Sequence, residues 1–295
     1  LSPSGIAVAM RRHSRHPWTL MKLVQNGTMD CYAAGLISFL IDGRSSILIC
    51  GARGAGKSSL LSASLFEFPL SQRILTIEDT LEIPIDHLQR AGFKVQSMMV
   101  EQRPGGDREA ETDEALRVSL RLGESAIVLG EVRGREAQTL YQSMRTGRAG
   151  SSVLGTIHGE SARSVYERVV HDMGIPPEAF LATDIILSMG LHRPGGSQRP
   201  VRRLVEISEC LKTGEPGTFS SLLKYDPRSE KISHDVARES EAISRIADSW
   251  SISYEEALMN IEARSQMREI LLEASKRGRA ELLEPPWTCR LNQFF

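Results

Sequence analysis

Cysteine is scarce. Among 295 residues there are four, Cys31, Cys50, Cys210 and Cys289, widely spaced and with no C-x-x-C pair. That spacing argues against a disulfide-stapled or zinc-ribbon framework and predicts reduced thiols. Aromatic residues make up only 5% of the chain, and neither charge is in excess: 36 Lys+Arg face 37 Asp+Glu, for a formal net charge of -1. Such a chain lacks the bulk electrostatic footprint for wrapping duplex nucleic acid or coating an anionic membrane. Long hydrophobic runs are missing too. The longest apolar stretch, Ala33–Ile41, falls far short of the roughly 20 residues that span a bilayer. No basic, then apolar, then small-residue signal is visible at the start. What is present is ordinary globular composition, 41% hydrophobic and 25% charged, enough for a sizeable core.

The chain is expected to fall into three parts. Residues 1–22 carry the basic cluster Arg11, Arg12, His13, Arg15 and His16 before Pro17 and Trp18, and read as a connector rather than a core element. The first residue is Leu1 rather than Met, so processing, or a piece of a longer protein, is expected. Residues 23–235 alternate short apolar runs with helical patterns, the signature of an α/β domain built on a parallel sheet. Residues 236–295 are charged and helix-periodic. Strands are predicted at Ser46–Cys50, Arg73–Ile77, Val95–Val100, Ala126–Leu129 and Ser152–Thr156, followed by an antiparallel pair at Arg203–Cys210 and Phe219–Tyr225. Runs such as Ile47-Leu48-Ile49 fit strands covered on both faces. Helices are predicted from an N-cap at Thr28 to near Gly43, over Arg135–Met144, and over Ser161–Asp172. Ser253 with Glu256 forms a capping box for a long helix through Lys276.

Gly51-Ala52-Arg53-Gly54-Ala55-Gly56-Lys57-Ser58 matches G-x-x-x-x-G-K-[ST], between a predicted strand and a predicted helix as the motif requires. Its glycines let successive N–H groups turn inward as an anion-binding nest at a helix N-terminus. Lys57 is placed to reach the β- and γ-phosphates and the Ser58 hydroxyl to ligate Mg²⁺. The candidate nucleotide-binding set is therefore Gly51, Arg53, Gly54, Ala55, Gly56, Lys57, Ser58 and Ser59, for ATP with Mg²⁺.

Ala126-Ile-Val-Leu-Gly130-Glu131 is an apolar strand ending in a carboxylate. Most phosphate-loop enzymes carry an Asp at the place held here by Gly130, so Glu131 is assigned to orienting and deprotonating the attacking water, and the carboxylate for Mg²⁺ must come from elsewhere. The segment Ile74 to Pro84 supplies Glu78 and Asp79 at a strand's carboxyl end, where ligands bind in open α/β sheets. The two acids project to opposite sides of a continuing strand. Only one is expected to face the nucleotide: Glu78 is favoured on the site, Asp79 for a supporting or helix-capping place, and simple capping remains an alternative for both. His158, after the run ending at Ile157, is either structural or a sensor of the γ-phosphate.

These residues resemble the type II/IV secretion ATPase family, whose members power type II secretion, type IV pili, archaeal flagella and type IV secretion. Four family boxes stand in the family's order: the loop Gly51–Ser58, the acidic box Ile77-Glu-Asp-Thr-Leu-Glu82, Gly130-Glu131-Val-Arg133, and Thr156-Ile-His158. Met144-Arg-Thr-Gly147-Arg148-Ala-Gly150 looks like the family's M-x-T-G-H-x-G run, with Arg148 in place of its His. Met10–Pro17 is similar to the end of the family's N-terminal domain, and the resemblance covers roughly 8–235. It implies a RecA-like motor domain in a homohexameric ring, cytoplasmic and peripherally associated with the inner face of the cell membrane, acting on an inner-membrane platform protein, with no nucleic acid partner. It supports Glu131 as base, Glu78 as the acid near metal and water, and His158 as a site residue. It matches Arg117 and Arg121 to paired family arginines that complete the phosphate site, with Arg133 a further candidate; solvated or salt-bridged surface is the other reading of all three. Most of the family's N-terminal domain has no counterpart here, and the wording around His158 looks closest to archaeal members. Two other functions share the fold: a RecA-type nucleic-acid motor, and a non-hydrolysing nucleotide-binding assembly module.

Overall fold

The computed structural model describes residues 5, 6, 8, 16–100, 108–123, 125–145, 152–234 and 239–295. The basic cluster from Arg11 to Arg15, and Arg148 with most of its run, lie outside the described residues. The described strands are β1 (Ile47–Gly51), β2 (Arg73–Glu78), β3 (Lys94–Met99), β4 (Ala126–Val132), β5 (Ser152–Ile157), β6 (Ile185–His192), β7 (Val201–Cys210), β8 (Phe219–Asp226) and β9 (Lys231–His234). The helices are α1 (Leu20–Gln25), α2 (Cys31–Asp42), α3 (Lys57–Ser64), α4 (Ile85–Arg90), α5 (Arg108–Ser119), α6 (Glu136–Arg145), α7 (Ala162–Glu167), α8 (Pro177–Phe180), α9 (Glu241–Trp250), α10 (Tyr254–Lys276) and α11 (Pro285–Asn292).

The strands form one sheet in the order β3-β2-β4-β5-β1-β6-β7-β8-β9. The first six run parallel and the last three antiparallel. This is the expected α/β, RecA-like architecture with a mainly parallel sheet. The pleat sends successive residues to opposite faces. Ile47, Ile49 and Ile74 join a core with α1, α2, α3, α9 and α10. Leu48, Cys50, Leu75 and Ile77 join a second core with α6 and α7. The near-continuous apolar runs are thus covered on both sides, and all four cysteines are free and buried.

Several sequence expectations shift. Residues 17–22 are not mere connector: Thr19 caps α1, its hydroxyl donates to the Leu283 carbonyl at 2.7 Å, and Leu20 and Met21 are fully buried. The cap of α2 is Asp30, whose carboxylate accepts from Ala33 N at 2.8 Å, not Thr28, which is buried with its carbonyl taken by Leu204 N. The antiparallel pair is β7 and β8, but the expected strands did not include β6, which joins them to β1, or the edge strand β9. The capping box holds: Ser253 Oγ accepts from Glu256 N and Glu256 Oε2 accepts from Ser253 N, and α10 runs to Lys276. Ala242, Ile243, Ala257 and Ile261 of α9 and α10 complete the first core, so the C-terminal helices pack on the sheet domain.

Candidate active site

Because β2, β4, β5 and β1 are adjacent and parallel, their carboxyl ends meet along one edge of the sheet. Residues at and just after these ends line a cleft of about 450 Å³. From β1 come Arg53, Gly54, Lys57 and Ser58; from β2, Glu78, Asp79, Thr80 and Glu82; from β4, Gly130, Glu131 and Arg133; and from β5, Thr156 and His158. The four motifs of the sequence therefore converge. Gly51, Ala55 and Gly56 shape the loop without lining the cleft, and Ser59 lies in the first turn of α3 outside it.

The loop is a tight turn into α3. Gly54 and Gly56 have φ of +82° and +100°, a conformation that L side chains rarely adopt. The Lys57 ammonium is nearly buried and donates to the carbonyls of Gly51 at 2.8 Å and Ala52 at 3.2 Å. Burial first, then the charge of Arg133, pull its pKa below the usual lysine value against an opposing effect of Cys50. This cation is held by neutral acceptors, which favours an anion beside it.

Glu78 is 3% exposed. Its Oε1 accepts from Glu82 N at 2.9 Å and Ile83 N at 3.0 Å, which turns the chain after β2. Its Oε2 is buried with no hydrogen-bond partner among the described residues. Burial raises its pKa, opposed by the two backbone hydrogen bonds. The position of the missing aspartate before Glu131 is crowded. A Cβ on Gly130 would stand 3.3 Å from Glu78 Cγ, so the side chain of Glu78 fills the neighbouring space. Glu78 and Ser58 line the same cleft, and their carboxylate and hydroxyl oxygens fit a hard divalent cation, which takes oxygen donors.

Glu131 sits in an irregularity of the β4–β5 register between Leu129 and Val132, beside the Gly130 carbonyl that accepts from Thr156 Oγ1 at 2.5 Å. One of its oxygens is ion-paired with Arg133. The other lies 2.8 Å from His158 Nε2, close in distance but without hydrogen-bond alignment. Arg133 also reaches Asp79 at 3.5 Å. The His158 pKa is lowered, first by burial and then by Lys57, Arg168, Arg133 and Arg53. The opposite-sides expectation for Glu78 and Asp79 is refined: both line the cleft, Glu78 deep within it and Asp79 on its rim with Arg133.

Arg117 and Arg121 are not brought to the cleft. Arg117 is exposed on α5 and paired with Asp113 at 2.8 Å, within reach of Thr139 on α6. Arg121 is exposed in the turn after α5. Sequence reasoning missed Arg202 of β7, whose Nε donates to the Gly54 carbonyl at 3.0 Å. The available signal was the acid-free stretch 185–205, which carries Arg193, Arg199, Arg202 and Arg203.

Among the described residues, no helix is long and apolar enough to cross a membrane. At 29% identity, the chain is similar to the uncharacterized protein MJ1287 of Methanocaldococcus jannaschii, over 83% of this chain and 88% of that protein. It is 26% identical to the type IV secretion system protein PtlH of Bordetella pertussis, over 57% of this chain and 54% of that protein. Among solved structures, it is similar to the VirB11 ATPase of the Brucella suis type IV secretion system (22% identity, 64% of this chain and 54% of that chain, TM-score 0.48). The ATPase DotB of Legionella pneumophila is another (17% identity, 80% of this chain and 57% of that chain, TM-score 0.47). The chain thus spans only a little over half the length of PtlH and of these two solved chains. The sequence model of the family described as type II/IV secretion system protein matches residues 2–267, and the chain belongs to that family.

Proposed function

We propose that this protein is a Mg²⁺-dependent ATPase that works as a hexameric ring and drives a type II/IV secretion or type IV pilus-like machine. The observation that carries the reading is the convergence of Lys57 and Ser58 with Glu131 and Glu78 at the carboxyl ends of neighbouring parallel strands. The inward N–H groups of the loop and the start of α3 bind the phosphates, and Lys57 exchanges its carbonyl partners for phosphate oxygens. Ser58 and Glu78 would hold Mg²⁺, which neutralises charge on the phosphates. Glu131 orients the attacking water and takes its proton. For that, its carboxylate must part from Arg133, whose guanidinium then faces the anionic substrate. His158, kept neutral by its surroundings, offers a hydrogen bond to the terminal phosphate. Arg117 and Arg121, exposed and outside the cleft, would serve a neighbouring subunit's site across a ring interface. The machine's membrane-facing side would present an inner-membrane platform protein, placing the ring at the cytoplasmic face of the membrane.

The test is steady-state phosphate release with MgATP, with and without Glu131→Gln, alongside nucleotide binding and native mass. Hydrolysis by the wild type, lost in Glu131→Gln with binding retained, supports the reading. Wild-type turnover in Glu131→Gln overturns the base, and a monomer with bound ATP analogue overturns the ring.

A further inference from the structure

The β6–β7 hairpin projects beyond β1 at the same end as the phosphate loop, because β6 runs parallel to β1 and β7 returns against it. From residue 185 to 205 it holds four arginines and no acid. One of them reaches the loop. Arg202 Nε donates to the Gly54 carbonyl at 3.0 Å, and its Cδ would lie 3.0 Å from a Cβ on Gly56, so the side chain lies flat across both glycines. Arg202 does not line the cleft. The N–H of the same peptide unit, on Ala55, is bonded to the Ala52 carbonyl at 3.2 Å. The unit between Gly54 and Ala55 is therefore gripped at both ends, by a cation on the carbonyl side and by the loop itself on the amide side. This matters because glycine-flanked peptide units flip readily, and an anion nest works only when its N–H groups point inward together.

We propose that Arg202 is a positioning residue for the phosphate loop: it fixes the Gly54–Ala55 peptide from outside the cleft and so sets the affinity of the cradle for polyphosphate. A charge-assisted bond to the carbonyl also polarises the peptide and strengthens the bond from its N–H to the Ala52 carbonyl, which holds the turn of the loop. The hairpin thereby makes the antiparallel extension of the sheet part of the nucleotide site. The inference rests on the loop binding a nucleoside triphosphate, as proposed above.

The experiment compares the full chain with Arg202→Ala, Arg202→Lys and, as a control for bulk hairpin charge, Arg199→Ala. Dissociation constants are measured for MgATP and for magnesium tripolyphosphate, which has no nucleoside, together with kcat at saturating ATP and the melting temperature without ligand. Arg202→Ala is expected to weaken both ligands in parallel, roughly 3- to 10-fold for one exposed charge-assisted hydrogen bond. Arg202→Lys should restore part of the loss, with kcat and the unliganded melting temperature within error of wild type and Arg199→Ala silent. Weakening of ATP alone would mean direct contact with the nucleoside and overturns the positioning role. So would equal weakening by Arg199→Ala, or no change in either constant. A wild-type chain that binds neither ligand overturns the nucleotide reading itself, and this inference with it.

Discussion

Two regions of the molecule bury charge, and they do so in opposite ways. Where α10 crosses α2, Arg264 and Arg268 have essentially no exposed surface. Arg264 bonds Asp42 at 2.6 Å, Ser38 at 2.9 Å and Asn260 at 2.7 Å. Arg268 bonds Glu67, itself fully buried in the turn Leu65–Glu67 that continues α3, at 2.7 Å. Each cation there has a carboxylate of its own. At the carboxyl edge of the sheet, among the described residues, Lys57 is matched only by carbonyls and Glu78 only by backbone N–H groups. A buried charge with its own counter-charge serves the fold, and one without is held for something that arrives. Breaking a pair should therefore cost stability in the first region and activity in the second.

The largest effects belong to the cleft. Glu131→Gln is expected to lower kcat by about 10²- to 10⁴-fold while ATP still binds and the melting temperature holds; Lys57→Ala should abolish binding. Stopped-flow nucleotide binding and phosphate release measure both. Should Glu131→Gln instead shift the melting temperature substantially, the cleft would be holding the fold together just like the helical interface.

Next comes the interface. Arg268→Ala leaves Glu67 buried and uncompensated, and a loss of about 3–5 kcal/mol in unfolding free energy is expected, read from urea denaturation. Replacing both partners, Arg268→Met with Glu67→Leu, should recover most of that loss, because the pair's desolvation cost disappears with it. A double variant no more stable than the single one would mean that the interface depends on the ion pair itself rather than on the absence of an unpaired charge.

How much of this is legible in the sequence follows the same division. The loop and Glu131 announce themselves because phosphate chemistry demands particular residues at fixed spacing beside apolar strands, whereas His158 read from its neighbours alone is equally a structural residue; the periodicity of those strands carries the parallel sheet. Ser253 and Glu256 disclose a helix start for a similar local reason. Arg264 and Arg268 stay hidden, since charged residues at helical spacing read as a solvated face until α2 is laid against them. Arg202 stays hidden because its partner lies 148 residues away, across a strand, β6, that the pattern of the sequence does not announce. The role of Gly130 is half visible: the sequence shows the missing carboxylate, but not that the side chain of Glu78 takes up the space. Long-range packing leaves no local trace in any of these.

Glu78 and Glu67 offer a sharper pairwise test, with smaller effects. Burial raises the Glu78 pKa, so the folded chain holds that proton more tightly than the unfolded one. Its contribution to stability is fully present below the unfolded value and is lost as pH rises through the folded one. A neutral glutamine removes that loss. Glu78→Gln should thus be at least as stable as wild type at pH 7, yet bind Mg²⁺ with nucleotide on the order of 10-fold more weakly. Glu67→Gln should do the reverse, losing stability because Arg268 is left without its counter-charge, while leaving the Mg²⁺ dependence intact. Mg²⁺ titrations of ATP turnover beside denaturation curves separate the two, and a Glu78→Gln variant that unfolds early would place that residue with the interface class.

The smallest expected effect concerns His158, where the two regimes meet in one side chain. The imidazole is close to Glu131, which alone would raise its pKa, but that carboxylate is already matched by Arg133. Burial and the cations Lys57, Arg168, Arg133 and Arg53 act the other way and prevail. Because the folded value lies below the unfolded one, the folded chain takes up fewer protons as pH falls through about 6.5, so stability declines across that window and is fully present above it. The decline should be slight, since 44% of the side chain is exposed to solvent, and it should vanish in His158→Gln. An NMR titration of the ring is the direct measurement. A value below that of free histidine is expected, rising when a slowly hydrolysed ATP analogue brings its negative charge into the cleft. A raised value without nucleotide would mean that Glu131 is free of Arg133 and paired with His158 instead, which would make the cleft another closed ion-pair network like the one between α10 and α2.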